Sequence, residues 1–191
     1  MNIHPVVNNV RSRITLNSDE ADLIASCFKP IALKRKKKLL LEHELNDKIY
    51  FIEKGLLYAY KTLESGDVQV IQFAKEDGWI SDLYSYLTDK KSLFGIKSLE
   101  DCNLWMASKH DLEAVYKSIP KFESFARIVF QTAYSEALLK ISNFYSFDAV
   151  TKYKMFLDQS RSLFQRVPLY LIASYLGIKP GSLSRIRKQI I

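Results

Sequence analysis

The end of the chain places cations on one face of a short predicted helix. In the stretch "ASYLGIKPGSLSRIRKQII", residues 173–191, a glycine turn is followed by Pro180, a residue favoured at helix starts. The outward positions of this helix suit a nucleic-acid groove, because arginine binds guanine edges, serine binds base edges or phosphate, and lysine binds phosphate. We therefore predict a DNA-contacting set made of Lys179, Ser182, Ser184, Arg185 and Lys188.

The charge distribution favours a polyanionic partner for this end of the chain. Of the net charge of +7, residues 148–191 contribute +6, from eight basic and two acidic residues, and no acid follows Asp158. Residues 1–147 contribute only +1. A compact basic region without acids is typical of nucleic-acid-binding domains. The alternative is an amphipathic helical hairpin whose basic face is merely solvated.

The remaining chemistry-bearing residues argue against an enzyme or a metal protein. The histidines (His4, His43, His110) and the two cysteines (Cys27, Cys102) lack metal-ligand spacing, and two cysteines are too few for an iron–sulfur cluster. No GxGxxG, P-loop or serine–histidine–acid pattern is present. We also find no apolar run long enough for a membrane span and no secretory signal, so we expect a cytoplasmic protein without membrane contact.

Two predicted helices must position the basic residues. Pro168 starts the first, which carries Leu169, Ile172, Ala173 and Leu176, and Gly177 ends it by taking the left-handed conformation. Small Ala173 lets the second helix approach closely. The second helix turns an apolar stripe inward, formed by Leu183, Ile186 and Ile190.

The front of the chain has the texture of an antiparallel β domain. A capping box of Asn17 and Glu20 opens a helix that runs to Phe28. From residue 31 to about 109, short apolar runs alternate with turns at Gly55 and at 64–67, a pattern typical of a sandwich or barrel. We interpret the basic run 34–38 as solvated lysines on an edge strand rather than as a binding patch.

A long helix is predicted from Pro120 to about Phe147. Its apolar positions exceed the stripe of a one-sided surface helix, so two of its sides need cover. We favour a two-fold dimer over full burial within a monomer. The predicted dimerisation residues are Phe122, Ala126, Val129, Phe130, Ala133 and Ala137.

Three segments together resemble the catabolite activator/Fnr (Crp/Fnr) family of bacterial transcription regulators: "FIEKGLLYAY", "EDGWISDL" and "ASYLGI…SLSRIRK". The resemblance implies an α+β fold with an antiparallel β-roll of the cyclic-nucleotide-binding type at 1–118, a dimerisation helix at 119–147 and a helix-turn-helix at 148–191. It assigns base contact to Arg185. It also implies double-stranded DNA, a second copy of the chain and RNA polymerase as partners.

Two departures from the family pattern modify these expectations. In the cyclic-nucleotide cassette, Asp82 falls at the acidic, ribose-binding place, but the arginine–serine (or –threonine) pair falls on Ser92 and Leu93. Leu93 supplies neither charge nor hydroxyl, although Lys90 or Lys91 could supply a cation. We therefore predict a degenerate effector pocket without cyclic AMP, whose effector is unknown, at Asp82, Leu83, Tyr84, Ser92 and Leu93. The second departure is that the chain stops at Ile191, so we expect a full wing to be lacking and phosphate contacts to be fewer.

From these features we predict a homodimeric, DNA-binding transcription regulator that reads a near-palindromic site. The alternative, from another class, is a ligand-sensing or protein-interaction module whose helical end no longer binds DNA. The acid-free stretch after Asp158 favours the regulator, because a docking surface for a protein does not require it.

Overall fold

The computed structural model describes residues 4–190 as an α+β fold of two compact units. The first unit comprises the chain up to Ala59 together with Phe73–Gln131, and the second comprises Tyr60–Gln72 and the chain from Thr132 onward. The tip of one β-hairpin therefore belongs to the same unit as the C-terminal helices. The sequence analysis placed this hairpin tip in the roll. Its division of the chain into a roll, a dimerisation helix and a helix-turn-helix stays a prediction.

Antiparallel strands form the predicted β-roll from two four-stranded sheets. The sheet orders are β1-β8-β3-β6 and β2-β7-β4-β5, so neighbours in space are distant in sequence. In the first sheet Tyr50 pairs with Met106 of β8 on one side and with Ile80 of β6 on the other. The strands are β1 (Lys29–Leu33), β2 (Lys38–Leu40), β3 (Lys48–Lys54), β4 (Leu57–Thr62), β5 (Val68–Ala74), β6 (Trp79–Ile80), β7 (Gly95–Ser98) and β8 (Cys102–Ser108).

Helices precede, interrupt and follow the strands. They are α1 (Pro5–Arg11), α2 (Ser18–Cys27), α3 (Leu83–Thr88), α4 (Lys109–Ser118), α5 (Pro120–Ser146), α6 (Ala149–Gln159), α7 (Arg161–Phe164), α8 (Leu169–Leu176) and α9 (Pro180–Ile190). Within residues 4–190, no helix combines the length and the apolar character that a membrane crossing requires.

Local signals explain where several elements begin and turn. The predicted capping box is confirmed, because the Asn17 side chain accepts from the Glu20 backbone N–H and the Glu20 carboxylate accepts from the Asn17 N–H. Gly55 joins β3 to β4 with φ +105°, and a Cβ there would meet the Cys102 side chain, so this turn requires glycine. Leu57–Tyr60 are all buried, which confirms that both faces of β4 are covered.

The basic run 34–38 corrects one expectation. Only Lys38 lies on a strand, at the start of β2, and the four residues before it form the turn after β1. Lys36 takes φ +64° in this turn. All five side chains are exposed, as the solvated interpretation predicted, but no edge strand carries the run.

The core of the first unit reaches onto the beginning of α5. Phe122 and Phe125 are buried against Phe51 and Leu112 in one hydrophobic cluster. Phe122 is only 2% exposed, so its predicted place in a dimer interface is corrected: its own chain already covers it. Val129 packs at the edge of the same cluster. The other predicted positions are half-buried at Ala126, Phe130 and Ala133 and exposed at Ala137.

The second half of α5 presents uncovered apolar side chains. Tyr134, Leu138, Ile141 and Tyr145 are 66%, 49%, 54% and 83% exposed. Their spacing of four, three and four residues places them along one side of the helix, as in the seam of a left-handed coiled coil. The exposed apolar side chains of α5 thus lie C-terminal to most of the predicted dimer residues.

Candidate functional site

The α8–α9 pair has the predicted glycine turn. Gly177 ends α8 with φ +67°, and the backbone N–H groups of Gly177 and Ile178 donate to the carbonyls of Ser174 and Ala173. A Cβ on Gly177 would collide with the ring of Phe144, so glycine is required for space as well as for conformation. Ala173 is fully buried, as close packing of two helices demands.

Helix α9 separates an apolar face from a cationic face. Leu183 is fully buried and Ile186 nearly so, which anchors the helix, and Ile190 is half-buried. A set of five residues on α9 and immediately before it forms what we call the basic face. It consists of Lys179, Ser184, Arg185 and Lys188, which are exposed, and Ser182, which is half-buried.

The cations of the basic face, at Lys179, Arg185 and Lys188, are exposed. Salt bridges join Lys34 to Asp101 and Lys109 to Asp89 in the first unit. Among residues 4–190, no carboxylate lies within 4.0 Å of the charged groups of Lys179, Arg185 or Lys188. Exposed cations without acidic neighbours produce a positive potential that attracts polyanions.

Arg187, which the sequence did not assign to the basic face, has a different environment. Its guanidinium carbon lies 6.0 Å from the centre of the Phe164 ring, at the limit of a cation–π contact. Arg187 is therefore directed toward α7, whereas Arg185 is exposed to solvent and makes no salt bridge among the described residues.

A polar cluster within the second unit fixes α8, and hence the basic face. The Ser174 hydroxyl donates to the carbonyl of Val68 at 2.6 Å and accepts from the Val70 N–H at 2.8 Å. The Gln69 side chain donates to the Ser174 carbonyl. The backbone of β5 is thus hydrogen-bonded to the side chain of Ser174 on α8.

Lys140 completes this cluster from α5. Its ammonium donates to the carbonyls of Ile71 and Val70 and lies 3.9 Å from the centre of the Tyr175 ring. Burial lowers the pKa of Lys140 to about 8. Burial also raises the pKa of Tyr175, and Glu136 raises it further. Sequence reasoning missed Lys140 and Ser174, because the carbonyls that hold them lie far away along the chain.

Asp82, one of the predicted effector-pocket residues, accepts hydrogen bonds from backbone N–H groups of its own chain. We call residues 82–94 the cassette segment. The carboxylate of Asp82 is fully buried; Oδ1 accepts from the Ser85 N–H at 2.9 Å, and Oδ2 accepts from the N–H groups of Leu93 at 2.7 Å and Phe94 at 3.2 Å. Both oxygens of Asp82 thus already accept hydrogen bonds from the backbone of the chain, and the place of Asp82 in an effector pocket stays a prediction.

The other predicted pocket residues differ in burial and in hydrogen bonding. The Ser92 hydroxyl is buried and donates to the Leu41 carbonyl at 2.9 Å. Leu83 is half-buried, and Tyr84 and Leu93 are exposed, 39% and 47% respectively. Among the predicted pocket residues, the side chains of Asp82 and Ser92 are therefore hydrogen-bonded within the chain, whereas those of Tyr84 and Leu93 are exposed.

A cavity of about 580 Å³ lies in the first unit between α4, α5 and α3, the helix of the cassette segment. Tyr86, Tyr116 and Phe130 give it an aromatic wall, and Lys109 and Arg127 lie at its margin. Burial raises the pKa of Tyr116, with a further contribution from Glu123. None of the five predicted pocket residues lines this cavity. Within residues 4–190, no three histidine, cysteine or acidic side chains converge to hold a metal ion.

The strands and helices around the cassette segment lie in a region that matches a known domain family. Residues 30–118 match the model of the cyclic nucleotide-binding domain. The match covers β1 to the end of α4 and includes the cassette segment. No curated protein matches the sequence significantly.

Solved structures of three bacterial proteins have a similar fold. FixK2 from Bradyrhizobium japonicum is 15% identical, with 85% of this chain and 84% of that chain covered and a TM-score of 0.75. A CooA variant from Carboxydothermus hydrogenoformans is 14% identical, with 99% and 84% covered and a TM-score of 0.71. A protein from Eubacterium rectale, described as a transcriptional regulator of the Crp/Fnr family, is 15% identical, with 99% and 87% covered and a TM-score of 0.71. At these identities the likeness establishes the fold of the chain.

Proposed function

We propose that the chain is a transcription regulator of the Crp/Fnr type that binds double-stranded DNA as a homodimer. In this proposal α8 and α9 form a helix-turn-helix, and the basic face of α9 enters the major groove. The regulators FixK2, CooA and the Eubacterium rectale protein support the proposal through a shared fold. The cyclic nucleotide-binding domain supplies the sensor part of such a regulator.

The single observation that carries the proposal is the exposure of Arg185 without an acidic partner among the residues that the structure describes. Arg185 lies between the buried Leu183 and Ile186, so the helix is anchored on one side while the guanidinium points to solvent. No acid follows Asp158 to compete for it. An arginine held in this way has the fork of donors that reads guanine in the major groove.

The second half of α5 supports the homodimer. Tyr134, Leu138, Ile141 and Tyr145 form an exposed seam whose spacing matches that of a two-stranded coiled coil. Two copies that pair through this seam would each gain cover for side chains that a monomer leaves in water. The proposed interface therefore shares the helix of the sequence prediction but is centred closer to its C-terminal end.

The test of DNA binding is an anisotropy titration with the DNA upstream of the chain's own gene and with a scrambled duplex. We expect specific binding by the wild type and a loss of at least about tenfold in Arg185→Ala, because a bidentate contact is worth roughly 1–3 kcal/mol in each protomer. The matched control is Arg161→Ala, which removes an exposed arginine from α7 in the same acid-free region. It should lower affinity for both duplexes slightly and equally.

Two outcomes would overturn the proposal of DNA reading by Arg185. Equal losses in Arg185→Ala and Arg161→Ala would leave only a general charge effect. Weak binding that does not distinguish the two duplexes would favour the ligand-sensing or protein-interaction module.

The test of the dimer is sedimentation of the wild type and of Leu138→Glu. A charge in the seam should convert the dimer to a monomer, because an uncompensated carboxylate between two helices is costly to desolvate. Leu45→Glu is the control, since Leu45 is 70% exposed and lies in the first unit. A wild type that sediments as a monomer would contradict the dimer.

A further inference from the structure

The carboxylate of Asp82 gathers backbone donors from both ends of the cassette segment. It is fully buried, and its three donors are the N–H groups of Ser85, Leu93 and Phe94, at 2.9, 2.7 and 3.2 Å. Ser85 and Phe94 are separated by the rest of the segment, so a single side chain closes the loop. Among the described residues, no cation lies within salt-bridge distance of this carboxylate.

Convergent backbone N–H groups favour a negative charge at the point where they meet. A buried carboxylate is tolerated only when such charge-assisted hydrogen bonds replace its hydration. Here the negative charge comes from the chain itself. A phosphate that approached the same N–H groups would have to displace Asp82 or remain beside it, and two anions at such short distance repel each other strongly in a buried site.

The surrounding hydrogen bonds keep the segment in place without a ligand. The Ser92 N–H donates to the Glu44 carbonyl at 2.7 Å, and the His43 N–H donates to the Ser92 carbonyl at 3.1 Å. At the other end, the Asn46 N–H donates to the Ser85 hydroxyl at 2.9 Å. Both ends of the cassette segment are thus hydrogen-bonded to the 41–46 region, and Asp82 joins the ends to each other.

We propose that Asp82 is an internal anion that fills the backbone donors of the cassette segment, excludes cyclic nucleotides and other phosphate ligands, and holds the first unit in one conformation without an effector. The consequence for regulation rests on the proposed function: DNA binding by the wild type should require no nucleotide.

Thermal unfolding of the full chain tests the internal anion. We expect the wild type to melt at the same temperature with cyclic AMP or inorganic phosphate as with sodium chloride of equal ionic strength. Asp82→Ala should melt about 5–10 °C lower, because one buried and two partly buried N–H groups lose their acceptor. Sodium formate should restore much of this loss in a saturable way, since its carboxylate fits the space that the side chain leaves.

Two further variants make the comparison specific. Asp82→Asn should be destabilised but not rescued by formate, because its amide fills the space and its N–H₂ group cannot accept from Leu93 and Phe94. Asp101→Ala is the matched control: Asp101 also accepts from a backbone N–H, that of Arg35 at 2.7 Å, but its side chain is 62% exposed. It should shift the melting temperature little and show no response to formate.

Hydrogen exchange of the wild type keeps the proposal testable if Asp82→Ala does not fold. The N–H groups of Leu93 and Phe94 should exchange slowly in the ligand-free protein and should not change with cyclic AMP. Rapid exchange that slows only with a nucleotide, or a saturable rise of the wild-type melting temperature with cyclic AMP, would overturn the proposal. An equal response of wild type and Asp82→Ala to formate would also overturn it.

The DNA titration separates this proposal from the proposed function. Specific binding that appears only after a cyclic nucleotide is added would overturn the internal anion and leave the regulator intact. Protected Leu93 and Phe94 N–H groups in a chain that binds no DNA under any condition would support the internal anion and contradict the regulator.

Discussion

The cassette segment and the basic face of α9 both carry charge, and the structure treats the two charges in opposite ways. Asp82 is fully buried and accepts hydrogen bonds from three backbone N–H groups of its own chain. Arg185 and Lys188 are exposed and have no acidic partner among residues 4–190. A charge that the chain satisfies stabilises the fold, whereas a charge left in solvent is available to another molecule.

This difference makes the C-terminal helices, rather than the cassette segment, the surface with charges open to another molecule. The match to a cyclic nucleotide-binding domain suggests a ligand at the cassette segment, yet the polar groups there already bind each other. The basic face, by contrast, is held from behind by Leu183 and by the cluster around Ser174. Rigid support beneath exposed cations that have no acidic partner among residues 4–190 suits the DNA contact that we propose.

The largest effect on folding is expected at Asn46, beside the cassette segment. Its buried side-chain amide donates to the Lys48 carbonyl at 3.0 Å and to the Ser81 hydroxyl at 2.8 Å. Asn46→Ala should lower the free energy of unfolding by about 2–3 kcal/mol, because buried acceptors lose their donor. Urea denaturation measures this. Asn8→Ala, at an exposed position of α1, should change it by less than about 0.5 kcal/mol, and similar losses in the two variants would contradict the comparison.

The next effect in size is expected at Gly177, between α8 and α9. Alanine there would have to keep φ near +67° and would push against Phe144, so Gly177→Ala should cost about 1–2 kcal/mol of stability and weaken DNA binding. Gly181→Ala is the matched control, because its Cβ would meet open space within α9. It should stabilise the chain slightly. Chemical denaturation of both variants measures these changes. A Gly177→Ala variant as stable as the wild type would contradict the prediction.

A smaller, pH-dependent effect is expected at Lys140. Burial lowers its pKa to about 8, below the ordinary value of 10.5. Below pH 8 the ammonium is charged in both states, and its burial opposes folding. Between pH 8 and 10.5 the unfolded chain binds more protons, so the contribution of Lys140 to stability rises with pH.

Lys140→Met removes this titration. The free energy of unfolding of the wild type, relative to Lys140→Met, should therefore increase by about 1 kcal/mol between about pH 8 and 9. Taking the difference cancels the cysteines and tyrosines that titrate in the same range. Urea denaturation at the two pH values gives the quantity, and exposed Lys154→Met should show no such change relative to wild type. If the difference in free energy of unfolding between wild type and Lys140→Met did not change with pH, the lowered pKa of Lys140 would be refuted.

The smallest effect on folding is expected at Lys188, on the basic face. Lys188→Ala should change stability by less than about 0.5 kcal/mol, because the side chain is exposed and unpaired. It should weaken binding to all duplexes similarly, and the salt slope of log K should fall by roughly one for each phosphate that Lys188 neutralises. Lys117→Ala, on α4, should leave the slope unchanged. An unaltered slope in Lys188→Ala would remove Lys188 from the interface.

Local sequence determined the elements of this protein and the two faces of its last helix. The capping box at Asn17, the prolines before α5 and α9, and the left-handed turn at Gly177 act through backbone geometry within a few residues, so their types alone indicate the structure. The stripe of Leu183 and Ile186 follows from helical periodicity, which leaves Arg185 outward.

Only the tertiary structure decided which charges are used internally. Asp82 reads as a ligand residue in the sequence, but its partners Leu93 and Phe94 are brought to it by the course of the loop. Phe122 became core rather than interface because α5 begins against the β-roll. Ser174 and Lys140 bind β5 carbonyls that lie far earlier in the chain. Such contacts form between segments that are distant in the sequence. They cannot be predicted from local periodicity or from residue type.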